Sequence, residues 1–334
     1  MNVKTLLPAL ALASASLFAS CGGTTKTAAP KANAIVLATC PTFVADSAFR
    51  YIQEQCAFGP RLTGSQESAL CCQYIQDHFT RLGAKVQLQE SIVTIYDGTR
   101  LKCKNIIASL NPDNPDRILF CSHWDSRPWA DNDPDEQNHH TPVLAANDGA
   151  SGVAVMMELA RILQQQPVAT GIDFVCFDAE DMGTPQWAED TDQDEVWCLG
   201  SRNWAQWAVE NHYSARFGVL LDMVGGRGNT FSQEMISQQY AEPIVDLIWH
   251  LAGQIGYGHY FPLTDGGYLM DDHVNVNKIA RIPCVDIVPY YQDGPSSFGP
   301  TWHTVKDTPE NIDPNVLEAV GQTLTQLIYN DAAE

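Results

Sequence analysis

The residues of this chain best equipped for chemistry are carboxylates and histidines that follow short apolar runs. The densest group closes the stretch Ile172 to Asp181, where Asp178, Glu180 and Asp181 place three carboxylates within four positions. An ionised carboxylate that loses its hydration shell without a partner is costly, so three at the end of a buried run call for a cation. Other runs end alike. Arg117 to Asp125 finishes in His123 and Asp125, Phe217 to Asp222 in Asp222, and Ile282 to Pro289 leads on to Trp302-His303-Thr304. Ala146-Asn147-Asp148-Gly149 adds an aspartate just ahead of a helical pattern. Asp, Glu and His collected from five segments are the donor set of a metal centre with an acid–base group beside it. Solvated acidic loops would explain one such run, but not their recurrence.

For these residues to meet, the runs must be neighbouring strands that end at one edge of a sheet, where ligand crevices form in open α/β folds. The Ile172 run reads as a strand buried on both faces. Helices are expected at Val44 to Ala57, after Ser65 with Gly83 as the stop, at Ser151 to Gln165 and at Ala241 to Ile255. A last helix begins with Asp313 as N-cap and Pro314 in the first turn. Further strands are expected near Lys85 to Tyr96 and Asn105 to Leu110. Helices alternating with strands imply an α/β fold: one domain with a central mixed, mostly parallel sheet flanked by helices.

Residues 1–20 read as a secretory signal, with Lys4 ahead of an apolar stretch too short to span a bilayer. Phe18-Ala19-Ser20-Cys21 resembles a bacterial lipoprotein processing box, so Cys21 is the expected lipidation site. Residues 21–40 would be a flexible, lipid-anchored tether and 41–334 the catalytic domain. The chain is thus expected to be exported and periplasmic, touching a membrane only through its anchor. A formal charge of −21, from 19 basic against 40 acidic residues, repels polyanions and excludes nucleic acid as a partner. Ten cysteines in so long a chain are not a small disulfide scaffold, and Cys121 and Cys176 read as buried thiols. His139 and His140, in the polar loop Asp131 to Thr141, read as solvent-facing.

His123-Trp124-Asp125, Ala146 to Gly152, Asp178-Ala179-Glu180-Asp181, Leu221 to Gly225, Asp271-Asp272-His273 and Trp302-His303-Thr304 occur in that order. Together they resemble the zinc aminopeptidase and glutaminyl cyclase superfamily over about residues 45 to 330. Within it the chain looks most like the bacterial glutaminyl cyclases. The resemblance implies one zinc per chain, held by Asp148, Asp181 and His303, with Glu180 as the proton shuttle. It also implies that Asp222 and Asp271 join a hydrogen-bond network with Glu180, and that Trp187, Phe298 and Trp302 wall the substrate pocket. Asp271 stands where aminopeptidases commonly carry Ser. The implied substrates are peptides or proteins with N-terminal glutamine, converted to pyroglutamate with loss of ammonia by a monomeric enzyme.

Two other readings stay open at this level. A two-zinc aminopeptidase would use His123 and Asp222 on a second metal and a metal-bound water as nucleophile. A lipid-anchored binding protein would keep the fold without turnover, though binding alone has no need of Glu180.

Overall fold

β-Branched and aromatic residues dominate the apolar runs, and they pack well on a pleated surface. The computed structural model describes residues 35–188 and 196–333. The expected signal, Cys21 and most of the expected tether lie outside the described residues. The strands are β1 (Lys85–Thr94), β2 (Arg100–Leu110), β3 (Arg117–His123), β4 (Gly171–Phe177), β5 (Phe217–Leu221) and β6 (Cys284–Ile287). They form a six-stranded sheet in the order β1-β2-β4-β3-β5-β6. β1 and β2 form an antiparallel hairpin and β2 runs antiparallel to β4, while β4, β3, β5 and β6 are mutually parallel. The sheet is mixed, as expected. β3 and β4 pair from Arg117 with Gly171 to His123 with Phe177, so both chains leave the sheet at one level. That register sets His123 and Asp125 beside Asp178 to Asp181.

The helices are α1 (Ala45–Cys56), α2 (Gln66–Arg81), α3 (Ala150–Gln165), α4 (Leu199–Glu210), α5 (Met235–Gln254), α6 (Asp272–Asn275) and α7 (Pro314–Asp331). Strand alternation deals residues to two cores. Ile118, Phe120, Ile172, Phe174, Val219 and Leu221 face the layer of α1, α2, α3, α5 and α7. Leu119, Cys121, Val175, Phe177 and Leu220 face Trp204, Ala205 and Ala208 of α4. Phe174 stacks on Phe79 and Phe120 with ring centroids 5.4 and 5.9 Å apart. Truncating such a ring costs about 3–5 kcal/mol.

Local signals place several helix ends. The Ser65 hydroxyl accepts from the Ser68 amide, and Asp313 accepts from Asn315 N with Pro314 in the first turn. The helix expected from Ala241 starts earlier, at Met235. Glu234 accepts from the Ile236 and Ser237 amides, and the chain kinks at Ala241, two residues before Pro243. Residues 35–40 are not part of a loose tether: the Ile35 amide donates to Gln254 and the Ala38 amide to Asn330, at 2.9 and 2.8 Å. Among the described residues no helix is long and apolar enough to cross a membrane.

Candidate active site

The parallel strands deliver the site. β3 ends in His123, β4 runs into Glu180 and Asp181, and β5 ends just before Asp222. Asp148 lies in the turn before α3, where Gly149 has φ 103°. A Cβ at Gly149 would lie 2.8 Å from the Asp125 carbonyl oxygen and 3.0 Å from the His123 ring, so only glycine lets Asp148 approach. Asp307 braces the same turn, its carboxylate accepting from Asn147 N and Asp148 N at 2.7 and 2.9 Å.

His303 Nε2 is 2.8 Å from Asp181 Oδ1 and 3.6 Å from Asp148 Oδ2. His303 Nε2, Asp148 Oδ2 and Asp181 Oδ2 are all buried without a hydrogen-bond partner. A buried imidazole nitrogen and two buried carboxylates, each with an atom left unbonded, are what metal ligands look like, and two oxygens with one imidazole suit zinc. Burial and the Asp181 carboxylate push Asp148 up to about 7, so both stay ionised together only beside positive charge. The donors therefore fit a cation. His123 lies close enough to join Asp148 and Asp181, but its Nε2 is already shared by Asp148 Oδ1 at 2.9 Å and Asp222 Oδ1 at 3.2 Å. Both imidazoles thus border the same pair of carboxylates, His303 through Asp181 at 2.8 Å and His123 through Asp148, with Asp222 as a further partner of His123.

Asp125 does more than face His123. Its two oxygens accept from the amides of Glu180 and Asp181 at 3.1 and 3.2 Å, fixing the turn that begins at Ala179, φ 57°. The backbone of both residues thus hangs from one carboxylate. Asp178, the first acid of the motif, points elsewhere and accepts from Thr63, Lys104 N and Ala179 N. Asp271, the N-cap of α6, comes within 4.8 Å of Glu180 and the Cys198 thiol. Burial, with the Asp222 and Asp272 carboxylates, raises Asp271 well above the usual carboxylate range. Burial and the Asp181 charge do the same for Glu180. Neighbouring carboxylates of this kind hold protons in common.

Beside the donors is a cavity of about 290 Å³ lined by Glu180, Trp197, Cys198, Asp271, Phe298 and Trp302. Its size is at the small end for ligand pockets. Phe298 stacks on Trp302 at 4.9 Å, and Trp302 on His303 at 3.7 Å. Trp187 does not line this cavity. It is 41% exposed and packs against Trp129 and His140. Trp197 holds the wall instead, parallel to the His303 ring at 6.0 Å. Gly183 makes that seat, since a Cβ there would come within 1.9 Å of the indole.

Sequence reasoning missed the braces. Arg127 is buried, donates to the Asp181 and Gly183 carbonyls at 3.0 and 2.9 Å, pairs with Asp131 at 2.6 Å and lies over Trp197. Asp131 faces His303 Nδ1 at 3.6 Å and, against the cost of burial, is held far below its usual range by His303 and Arg127. The loop that begins at Asp131 is therefore not solvated throughout; Asp131 and Asp133 are buried, His139 is half-buried and His140 is exposed. All nine described cysteines are free, with Cys121 and Cys176 buried as expected.

The sequence matches the model of peptidase family M28 over residues 105–328. A glutaminyl cyclase of Bacteroides thetaiotaomicron, solved with N-acetylhistamine, is 46% identical with TM-score 0.85, covering 87% of this chain and 99% of that one. A Zn-dependent exopeptidase of Parabacteroides distasonis is 45% identical with TM-score 0.86, covering 87% and 100%. Aminopeptidase YwaD of Bacillus subtilis is 27% identical over 259 residues, 74% of this chain. The chain spans about half, 48%, of that relative's length. With this donor set and these relatives, the metal is zinc. A match that takes in every donor from His123 to His303, on the same fold, means that the chain belongs to peptidase family M28.

Proposed function

We propose that this chain is a zinc-dependent glutaminyl-peptide cyclotransferase, acting on peptides or proteins with N-terminal glutamine. The observation that carries the reading is Asp271: a buried acid beside Glu180, in a small cavity walled by Trp197, Phe298 and Trp302. Cyclisation must move a proton from the substrate's α-amine to its departing side-chain nitrogen, and paired carboxylates that share protons suit that relay. Zinc, held by Asp148, Asp181 and His303, supplies Lewis acidity at the side-chain amide carbonyl when bound. Glu180 accepts the amine proton as the amine nitrogen bonds to the amide carbon. The same carboxyl returns a proton to the amide nitrogen as that C–N bond breaks, and ammonia leaves. Asp222, through His123, and Asp271 keep Glu180 in a mixed protonation state and hold the amine. The aromatic walls limit water, which would otherwise compete as nucleophile.

The second reading, a two-zinc aminopeptidase, is favoured by the proximity of His123 to Asp148 and Asp181. The two differ in nucleophile. Offered a glutamine-initiated peptide, a cyclase releases ammonia and leaves every peptide bond intact; offered a leucine-initiated one, it does nothing measurable. Free leucine without ammonia, or two tightly held zincs of which one is lost on His123→Ala, would overturn the cyclase reading. We further propose a monomer anchored in the periplasm through lipid on Cys21. Cys21→Ala should then move the protein from the membrane to the soluble fraction, and a wild type that is soluble and carries no lipid mass contradicts the anchor.

A further inference from the structure

One pocket residue has no part in the reaction as described. Cys198 is 4% exposed, precedes α4 and lines the cavity with Glu180. Its thiol sulfur is 3.3 Å from Glu180 Oε1, with the S–H as donor. Its amide also donates to the Glu180 carbonyl at 3.0 Å, so backbone and side chain of this one residue both hold the shuttle.

The backbone does not ask for cysteine here. Cys198 has φ 53° and ψ 37°, the left-handed region in which Gly or Asn is the usual choice. The conformation is held by neighbours: Asn275 and Ser201 side chains donate to the Cys198 carbonyl at 3.1 and 3.0 Å. A strained position occupied by a residue that gains nothing from the turn points to its side chain as the reason. Burial and the nearby Glu180 keep the thiol far above its usual pKa, so it remains an S–H donor. A second observation aims at the same spot. Asp271 is 4% exposed, its Oδ2 has no hydrogen-bond partner, and its carboxylate lies within 4.8 Å of both Glu180 and Cys198.

We infer that Cys198 is a positioning residue, whose S–H occupies Glu180 Oε1 so that the other carboxylate oxygen, with Asp271, meets the substrate amine. The thiol proton is shared and never transferred. A weak S–H donor orients the carboxylate while drawing off less of its basicity than a hydroxyl would, and sulfur keeps that wall of the cavity apolar. The inference rests on the role given to Glu180 under the proposed function.

The test compares zinc-loaded wild type with Cys198→Ala, Cys198→Ser and Cys198→Gly on a glutamine-initiated peptide. Cys198→Ala should lower kcat about tenfold, the order of one hydrogen bond to a charged group, with KM within about twofold. Zinc content and Tm should hold, and Cys198→Ser should recover most of kcat because its O–H still donates. Cys198→Gly relieves the backbone, so it folds if any variant does, and it should match Cys198→Ala in kcat. Wild-type kcat in the Ala or Gly variant would overturn the inference, as would equal losses in Ala and Ser. Should wild type release leucine from a leucine-initiated peptide instead, the cyclase reading falls, and the same Ala-to-Ser ratio is taken on that hydrolysis, where Glu180 also carries the proton.

Discussion

The two ends of β4 carry buried carboxylates with opposite fates. Near its start, Asp173 is 1% exposed and wholly answered by protein. Arg117 donates to both its oxygens at 2.6 and 2.7 Å, Tyr213 donates at 2.7 Å, and Ser109 donates as well. Just past its end, Asp181 and its neighbour Asp148 are equally buried, yet each keeps an oxygen that nothing bonds. Buried charge alone therefore does not mark a site in this molecule. What distinguishes the far end is charge left open between two imidazoles and beside a cavity, where a ligand can complete it.

Breaking the answered end should cost most. Arg117→Ala strands the Asp173 carboxylate among hydroxyls and should destabilise the fold by about 3–5 kcal/mol in denaturant titration. Activity per folded, zinc-loaded molecule should be unchanged; a variant of normal stability would mean that Asp173 is not the burden its partners suggest. At the unanswered end the effects reverse. Glu180→Gln should lower kcat by ~100-fold or more while Tm and zinc content stay put, and near-normal turnover would remove Glu180 from the mechanism. Asp131→Asn keeps the shape beside His303 but weakens its orientation. Zinc affinity, read by chelator competition, should drop about tenfold if His303 is the ligand we propose, and an unchanged affinity would break the link from Arg127 through Asp131 to His303. The smallest effect separates the two tryptophans. Trp302→Ala should raise KM about fivefold, the worth of one aromatic stack, while Trp187→Ala should stay within about twofold. The reverse ranking would return Trp187 to the pocket.

Much of this site was readable because strand ends announce themselves. An apolar run has to stop somewhere, and His123, Asp181 and Asp222 each stand where one stops. Ser65 and the Asp313-Pro314 pair were equally plain, since helix caps depend on adjacent residues. The strand order was not readable: β4 inserts between β2 and β3, with α3 and α4 packed on opposite faces of the sheet. The braces were hidden for a similar reason. Asp131 and Asp307 sit in polar stretches whose composition is that of solvated loops, and their burial exists only once His303 and the Asn147–Asp148 turn are in place. Trp187 and Trp197 look alike in sequence. Gly183 decides between them by leaving room for one indole, and no spacing rule carries that information.

The bond from Asp307 to the Asp148 turn also orders events in time. Asp148 and Asp181 are synthesised by mid-chain, but the third proposed ligand and the brace of the first arrive only with residues 303 and 307. A nascent polypeptide therefore carries two of the proposed donors before it can grip a metal, because donors without their third member and their brace bind weakly. Zinc capture becomes the closing act of folding, performed wherever the last helices dock. A chain cut short before Asp307 would leave the ribosome with its carboxylates in place and its metal unclaimed.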